Sequence, residues 1–164
     1  MIILVMGVTG SGKTTVGKLL AQRLGYIFLD ADNFHSSANR EKMHRGIPLS
    51  DEDRAPWLAA IHDELVRANA TGQNIALACS ALKQEYRNTL GAGLNLTIVF
   101  LRGTSDQLHR NLASREDHFA GESLVPSQLV TLEEPSGAMV EDITSAPEEI
   151  VNDICLRLQN SDSE

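Results

Sequence analysis

Cysteine is scarce in this chain. Cys79 and Cys155 are the only two in 164 residues, too few for a disulfide framework. Cys79 falls inside an apolar run, so both read as free thiols in a reducing compartment. Positive charge is scarce as well: 14 Lys and Arg face 22 Asp and Glu, leaving a net charge of −8. That balance argues against nucleic acid as the main partner, because a phosphate-backbone binder needs a basic face. No apolar stretch approaches the roughly 20 residues of a membrane-spanning helix. The apolar opening Ile2–Met6 has no basic segment before it, so it does not read as a signal peptide. Internal repeats, low-complexity segments and a histidine with a ligand-spaced partner for zinc are all missing. These absences predict one compact cytoplasmic domain over residues 1–164, with no nucleic-acid or membrane partner, long enough to bury a substantial core.

What is present begins at once. Gly7-Val8-Thr9-Gly10-Ser11-Gly12-Lys13-Thr14 is a complete G-x-x-x-x-G-K-[ST] phosphate-binding loop, with Thr15 following. It stands between an apolar strand pattern and a helical pattern (Val16, Leu19, Leu20, Leu24), the context that motif requires. Glycines let successive backbone N–H groups turn toward a phosphate, and the helix N-terminus adds partial positive charge. Lys13 is the candidate for reaching the β- and γ-phosphates of ATP, and Thr14 offers its hydroxyl to Mg²⁺.

Further along, apolar strand patterns at 26–29, 75–79, 96–101 and 139–143 alternate with helical ones. This alternation predicts an α/β fold, a parallel sheet covered by helices on both faces. Ser50 to Asp53 reads as a helix start, with Pro56 expected in the first turn or at the end of a short turn before it. Thr104 and Gln107 form a capping-box pattern. The stretch 116–126 is polar, carries Gly121 and reads as a mobile loop before a short helix at 127–132. In open parallel sheets ligands gather at the carboxyl ends of strands. There the chain places Asp30 and Asp32, Ser80 and Lys83, and Arg102.

Phosphoryl transfer needs positioning and charge neutralisation, and an acceptor hydroxyl must lose its proton. Asp32 is the candidate for that task. Asp30, two residues before it, either assists Mg²⁺ through water or caps the strand end. Arg115 opens the polar loop and offers a planar fork to phosphoryl oxygens. Arg110 is a candidate to stack on adenine. The alternative for both is a solvated arginine near a helix C-terminus. Arg54, Lys83 and Arg87 form a second basic set suited to an anionic acceptor, unless Lys83 and Arg87 are an exposed helix face. Trp57 reads as a core residue. Strand three ends Ala78-Cys79-Ser80, without the acidic residue that holds Mg²⁺ in switch GTPases and motor ATPases. The residues alone therefore point to a kinase of a small anionic acceptor; a non-catalytic ATP-binding regulator is the alternative from another class.

Taken in order, several segments resemble the gluconate kinases (gluconokinases) of the small P-loop kinase group. They are Gly7–Thr14, Leu29–His35, Asn39 with Lys42-Met43, Gly46–Leu49, Asp51–Arg54, Pro56–Leu58, Cys79–Lys83 and Tyr86-Arg87. Arg115, His118-Phe119, Ser127-Gln128 and Thr131–Pro135 complete the set. The resemblance implies transfer of the ATP γ-phosphate to the 6-hydroxyl of D-gluconate with Mg²⁺. It also implies a P-loop kinase fold with a five-stranded parallel sheet, a mobile lid over about residues 115–126, and a homodimer. By position, Asp32 becomes the acceptor-orienting base, and Arg54, Ser80, Lys83 and Arg87 line the sugar-acid pocket with His35. A kinase of the same fold acting on another acceptor, such as shikimate, is the nearest rival.

Overall fold

A computed structural model describes residues 1–114 and 118–161, without the side chains of residues 118–120. Five strands, β1 (Ile2–Met6), β2 (Ile27–Asp30), β3 (Ile75–Ala78), β4 (Leu96–Arg102) and β5 (Met139–Asp142), form one sheet. Its order is β2-β3-β1-β4-β5, and every pairing is parallel. The seven described helices are α1 (Lys13–Leu24), α2 (Ser37–His44), α3 (Asp51–Ala70), α4 (Gln84–Leu90), α5 (Ser105–Ala113), α6 (His118–Thr131) and α7 (Pro147–Ser161). The first strand sits in the middle because its five residues are buried on both faces, as a parallel sheet demands.

Strand alternation divides the core into two layers. Ile3 and Val5 of β1 meet Val16 and Leu20 of α1 and Ile150, Val151, Ile154 and Leu158 of α7. Ile2, Leu4 and Met6 turn the other way, toward Trp57, Leu58, Ile61 and Leu65 of α3 and Tyr86 and Leu90 of α4. A third, smaller cluster caps the carboxyl rim: Val8, Leu82, Leu108, Leu112 and Val125, with Leu129 and Leu132 against it. That cluster ties α5 and α6 to the phosphate loop.

Both expected helix starts are present. Ser50 and Asp53 exchange side-chain and backbone bonds in a full capping box, as do Thr104 and Gln107. Two expectations are corrected, at Pro56 and at 116–126. Pro56 is the sixth residue of α3, beyond the first turn, because the Ser50–Asp53 box begins the helix earlier; the proline removes the bond its N–H would make to Glu52. The polar segment after His35 holds a helix, α2, capped by the Ser36 side chain on the N–H of Asn39. Of the stretch read as a loop at 116–126, residues from His118 onward are helical. Burial of Val125 against Leu108 and Leu112 outweighs the local breaking tendency of Gly121 and Pro126.

Candidate active site

The connection from β1 to α1 wraps tightly because two of its glycines take conformations other residues avoid. Gly10 has φ +86°, and a Cβ there would stand 2.8 Å from the Leu108 carbonyl oxygen. Gly12, at φ +92°, caps α1 in the left-handed region. Neighbours brace the loop from outside. Asn111 of α5 donates its Nδ2 to the Gly10 carbonyl at 2.8 Å, and the Thr9 N–H donates to Gln128 Oε1 of α6 at 2.7 Å. Lys13 lies along the loop, its Nζ donating to the Val8 carbonyl at 3.2 Å. Thr15 is exposed on the first turn of α1.

The end of β2 lies beside this loop. Asp30 divides its carboxylate: Oδ2 accepts from the Thr14 hydroxyl at 3.2 Å and Oδ1 from the Asp32 N–H at 3.0 Å, capping a single 3₁₀ turn, Ala31–Phe34. Asp30 thus serves as a cap and also as the neighbour of the hydroxyl suited to Mg²⁺. Asp32 is carried on the capped turn. Burial first, then the Asp30 charge, pushes its carboxyl above the ordinary carboxylate range, while Lys13 and Arg40 pull the other way. The turn is held from behind by Trp57 Nε1, which donates to the Ala31 carbonyl at 2.7 Å. His35 stacks flat on Trp57 with ring centres 4.2 Å apart. Burial, with help from Arg40 and Arg54, lowers His35 to about 4, so its imidazole is neutral at physiological pH.

The far wall comes from the start of α3 and the β3–α4 connection. Arg54 donates to the Leu49 carbonyl at 2.7 Å and to the Tyr86 hydroxyl at 3.3 Å. Lys83 Nζ donates to Asp51 Oδ1 at 3.4 Å, and the Tyr86 hydroxyl donates to the same oxygen. The Arg54 and Lys83 charges each lie 5.4 Å from the centre of the Tyr86 ring. Hydrogen bonds from Tyr86 and Lys83 hold the Asp51 carboxyl below its ordinary range.

One cavity of about 500 Å³ joins these parts. Gly10, Gly12, Lys13 and Thr14 line one end; Asp30, Asp32, His35 and Trp57 line the middle; Asp51, Arg54, Ser80 and Lys83 line the other. Leu124, Ser127, Gln128 and Thr131 of α6 form a side wall. Most candidates therefore converge: Lys13, Thr14, Asp32, His35, Arg54, Ser80 and Lys83, with Thr9, Gly10 and Gly12 of the loop.

Arg87 does not join them. It is 3% exposed, and its guanidinium donates to the carbonyls of Ala81, Leu82 and Glu133 and to Gln84 Oε1. Lys83 and Arg87 do not share a helix face, because Lys83 precedes α4 in extended conformation. Arg102 reaches the rim but pairs with Glu134 at 2.8 Å. Arg110 is exposed on α5, outside the cavity lining. Arg115 lies outside the described residues, as does part of the expected lid. Trp57 is a core residue, as expected, and faces the cavity too. Sequence reasoning missed site roles for Asp51, Tyr86 and Gln128, although all three lie within the segments that carry the resemblance.

Mg²⁺ requires hard oxygen ligands and keeps several waters. Thr14 Oγ1, beside Asp30, is such a donor at the mouth of the phosphate loop. No cluster of three or more His, Cys, Asp or Glu side chains that would hold a metal by protein ligands alone exists among the described residues. The donor set suits an ion held between a hydroxyl and nucleotide phosphates.

Fold and loop define a kinase of the P-loop class, and a family model described as shikimate kinase matches residues 9–158. The curated relatives are more specific. A "probable gluconokinase" of Mus musculus is 47% identical over 153 residues, 82% of this chain and 83% of that protein. Among solved structures, a sugar kinase from Janibacter sp. HTCC2649 superposes with a TM-score of 0.90 at 39% identity, covering 96% of this chain and 94% of that one. A gluconokinase from Sinorhizobium meliloti 1021 gives 0.81 at 42%, covering 92% and 86%. The chain belongs to the gluconokinase family.

Proposed function

We infer that this protein is an ATP-dependent gluconokinase, transferring the γ-phosphoryl group of ATP to the 6-hydroxyl of D-gluconate to give 6-phosphogluconate and ADP. The observation that carries the reading is continuity: one cavity runs from the phosphate loop past the Asp32 carboxylate to a pair of cations. The loop amides and Lys13 bind the triphosphate and neutralise charge that develops as the phosphoryl group moves. Thr14 would hold Mg²⁺, which would supply positive charge to offset the charge of the phosphates. Arg54 and Lys83 take the gluconate carboxylate, fixing the distance from that end of the chain to the far hydroxyl. Ser80 and the neutral His35 contact hydroxyls between. Asp32 accepts the proton of the 6-hydroxyl as its oxygen attacks phosphorus. Its raised affinity for protons suits a general base.

The same reading assigns Arg115 to the transferring phosphoryl oxygens and Arg110 to the adenine side. It also takes residues 1–164 as a single domain, residues 115–126 as part of a lid, the working form as a homodimer and the location as cytoplasmic. No helix among the described residues is long and apolar enough to cross a membrane. The test is purified protein with ATP and Mg²⁺ against a panel of sugar acids and shikimate, followed by ADP release. Gluconate turnover is expected. Turnover of shikimate without gluconate would transfer the reading to the activity that gives the matching family model its name.

A further inference from the structure

The gluconate reading leaves one residue at the acceptor end without a task. Asp51 puts a negative charge where an anionic acceptor is to bind. Its side chain is 59% exposed and lines the cavity. A single oxygen, Oδ1, receives the Tyr86 hydroxyl, Lys83 Nζ at 3.4 Å and the approach of Arg54 at 3.9 Å. Oδ2 takes part in none of these contacts. So the carboxylate of this cavity-lining residue is held through one oxygen, which leaves Oδ2 as an acceptor.

Resting on that reading of the site, we propose that Asp51 is a substrate-binding, specificity-determining residue that selects polyhydroxylated carboxylates over plain ones. Two effects of opposite sign produce the selection. The charge of Asp51 repels any carboxylate drawn to Arg54 and Lys83, weakening every anion alike. A hydroxylated acceptor regains affinity by donating a hydrogen bond to Oδ2; an acceptor without hydroxyls has nothing to donate. Specificity is a difference between affinities, and a charge that penalises the wrong ligand creates it as effectively as a contact that rewards the right one. Sites built around a substrate hydroxyl reject analogues that lack it far more strongly than apolar pockets reject a missing methylene. Tyr86 acts through Asp51, as a positioning residue that fixes which edge remains open.

The experiment compares the KM for gluconate with the competitive inhibition constant of hexanoate, a six-carbon carboxylate without hydroxyls, at saturating ATP and Mg²⁺. In the Asp51→Asn enzyme the gluconate KM rises about tenfold or more while hexanoate binds more tightly than to the parent. In Tyr86→Phe, which keeps the charge, gluconate weakens by a smaller factor and hexanoate does not tighten. A variant of Asp51 in which both ligands weaken together, or gluconate tightens, overturns the proposal. If Asp51→Asn does not fold, a rise in hexanoate affinity in Tyr86→Phe equal to or larger than any change for gluconate does the same. Failure of the parent enzyme to phosphorylate gluconate at all would reject the activity itself, a separate outcome.

Discussion

The two ends of the cavity are built by opposite means. At the phosphate end the loop's share of the lining comes from one short run, Thr9–Thr14, and backbone conformation does most of the work: Gly10 and Gly12 hold left-handed geometry and neighbours merely brace the result. At the acceptor end the groups come from β2, the 3₁₀ turn, α3 and the β3–α4 connection, and side chains hold one another. A contiguous, glycine-directed site is rigid and indifferent to what lies beyond the phosphates. One assembled from distant side chains discriminates, because its geometry depends on which partners are satisfied.

Substitutions at the two ends should therefore fail differently. Among substitutions within the two ends themselves, Lys13→Ala has the largest expected effect: turnover falls about a hundredfold or more, since a charge aimed at the moving phosphoryl group is lost, while circular dichroism shows an intact fold. Unaltered turnover would contradict the role of the loop. Next comes Arg54→Ala, which removes a charged donor at the other end. The KM for gluconate rises about tenfold to a hundredfold, the equivalent of a charge-assisted hydrogen bond, with a much smaller change in the KM for ATP. Equal changes in both constants would mean that the ends are not separable.

Arg87→Ala probes the scaffold behind the acceptor end. Three backbone carbonyls lose a buried donor, so unfolding free energy drops by about 2–3 kcal/mol in denaturant titrations, with the KM for gluconate nearly unchanged. A selective rise in that KM would return Arg87 to the pocket. The smallest effect belongs to Trp57→Phe, which keeps an aromatic ring for His35 but deletes the N–H that holds Ala31. About 1 kcal/mol of stability is lost, and kcat falls more than KM rises because the turn carrying Asp32 loosens. If KM alone responds, the turn is not what Trp57 holds.

How much of this was legible in the chain follows the same division. The phosphate loop was fully readable, since its conformation is dictated by residues in immediate succession. Asp32, His35, Arg54, Ser80 and Lys83 were readable as strand-end or motif residues. Their mutual bonds were not, because Asp51 read as an ordinary acidic helix start and nothing local ties it to Tyr86, 35 residues away. Arg87 misled for a related reason. Four-residue spacing implies a shared face only if both residues are helical, and Lys83 is not. The long α6 was hidden by Gly121 and Pro126, whose breaking tendency is local, while the packing of Val125 and Leu129 against α5 is not.

Asp32 stands where the two ends meet, so its replacement by Asn is the most direct test. Single-turnover transfer should slow about 10²–10⁴-fold with gluconate and ATP still bound at near-parental affinity. The melting temperature at neutral pH should rise. Burial raises the folded-state proton affinity of Asp32, so its ionised form opposes folding once the pH exceeds that raised value, and Asn carries no such charge. Parental transfer rates in Asp32→Asn would contradict the account, whatever the stability change.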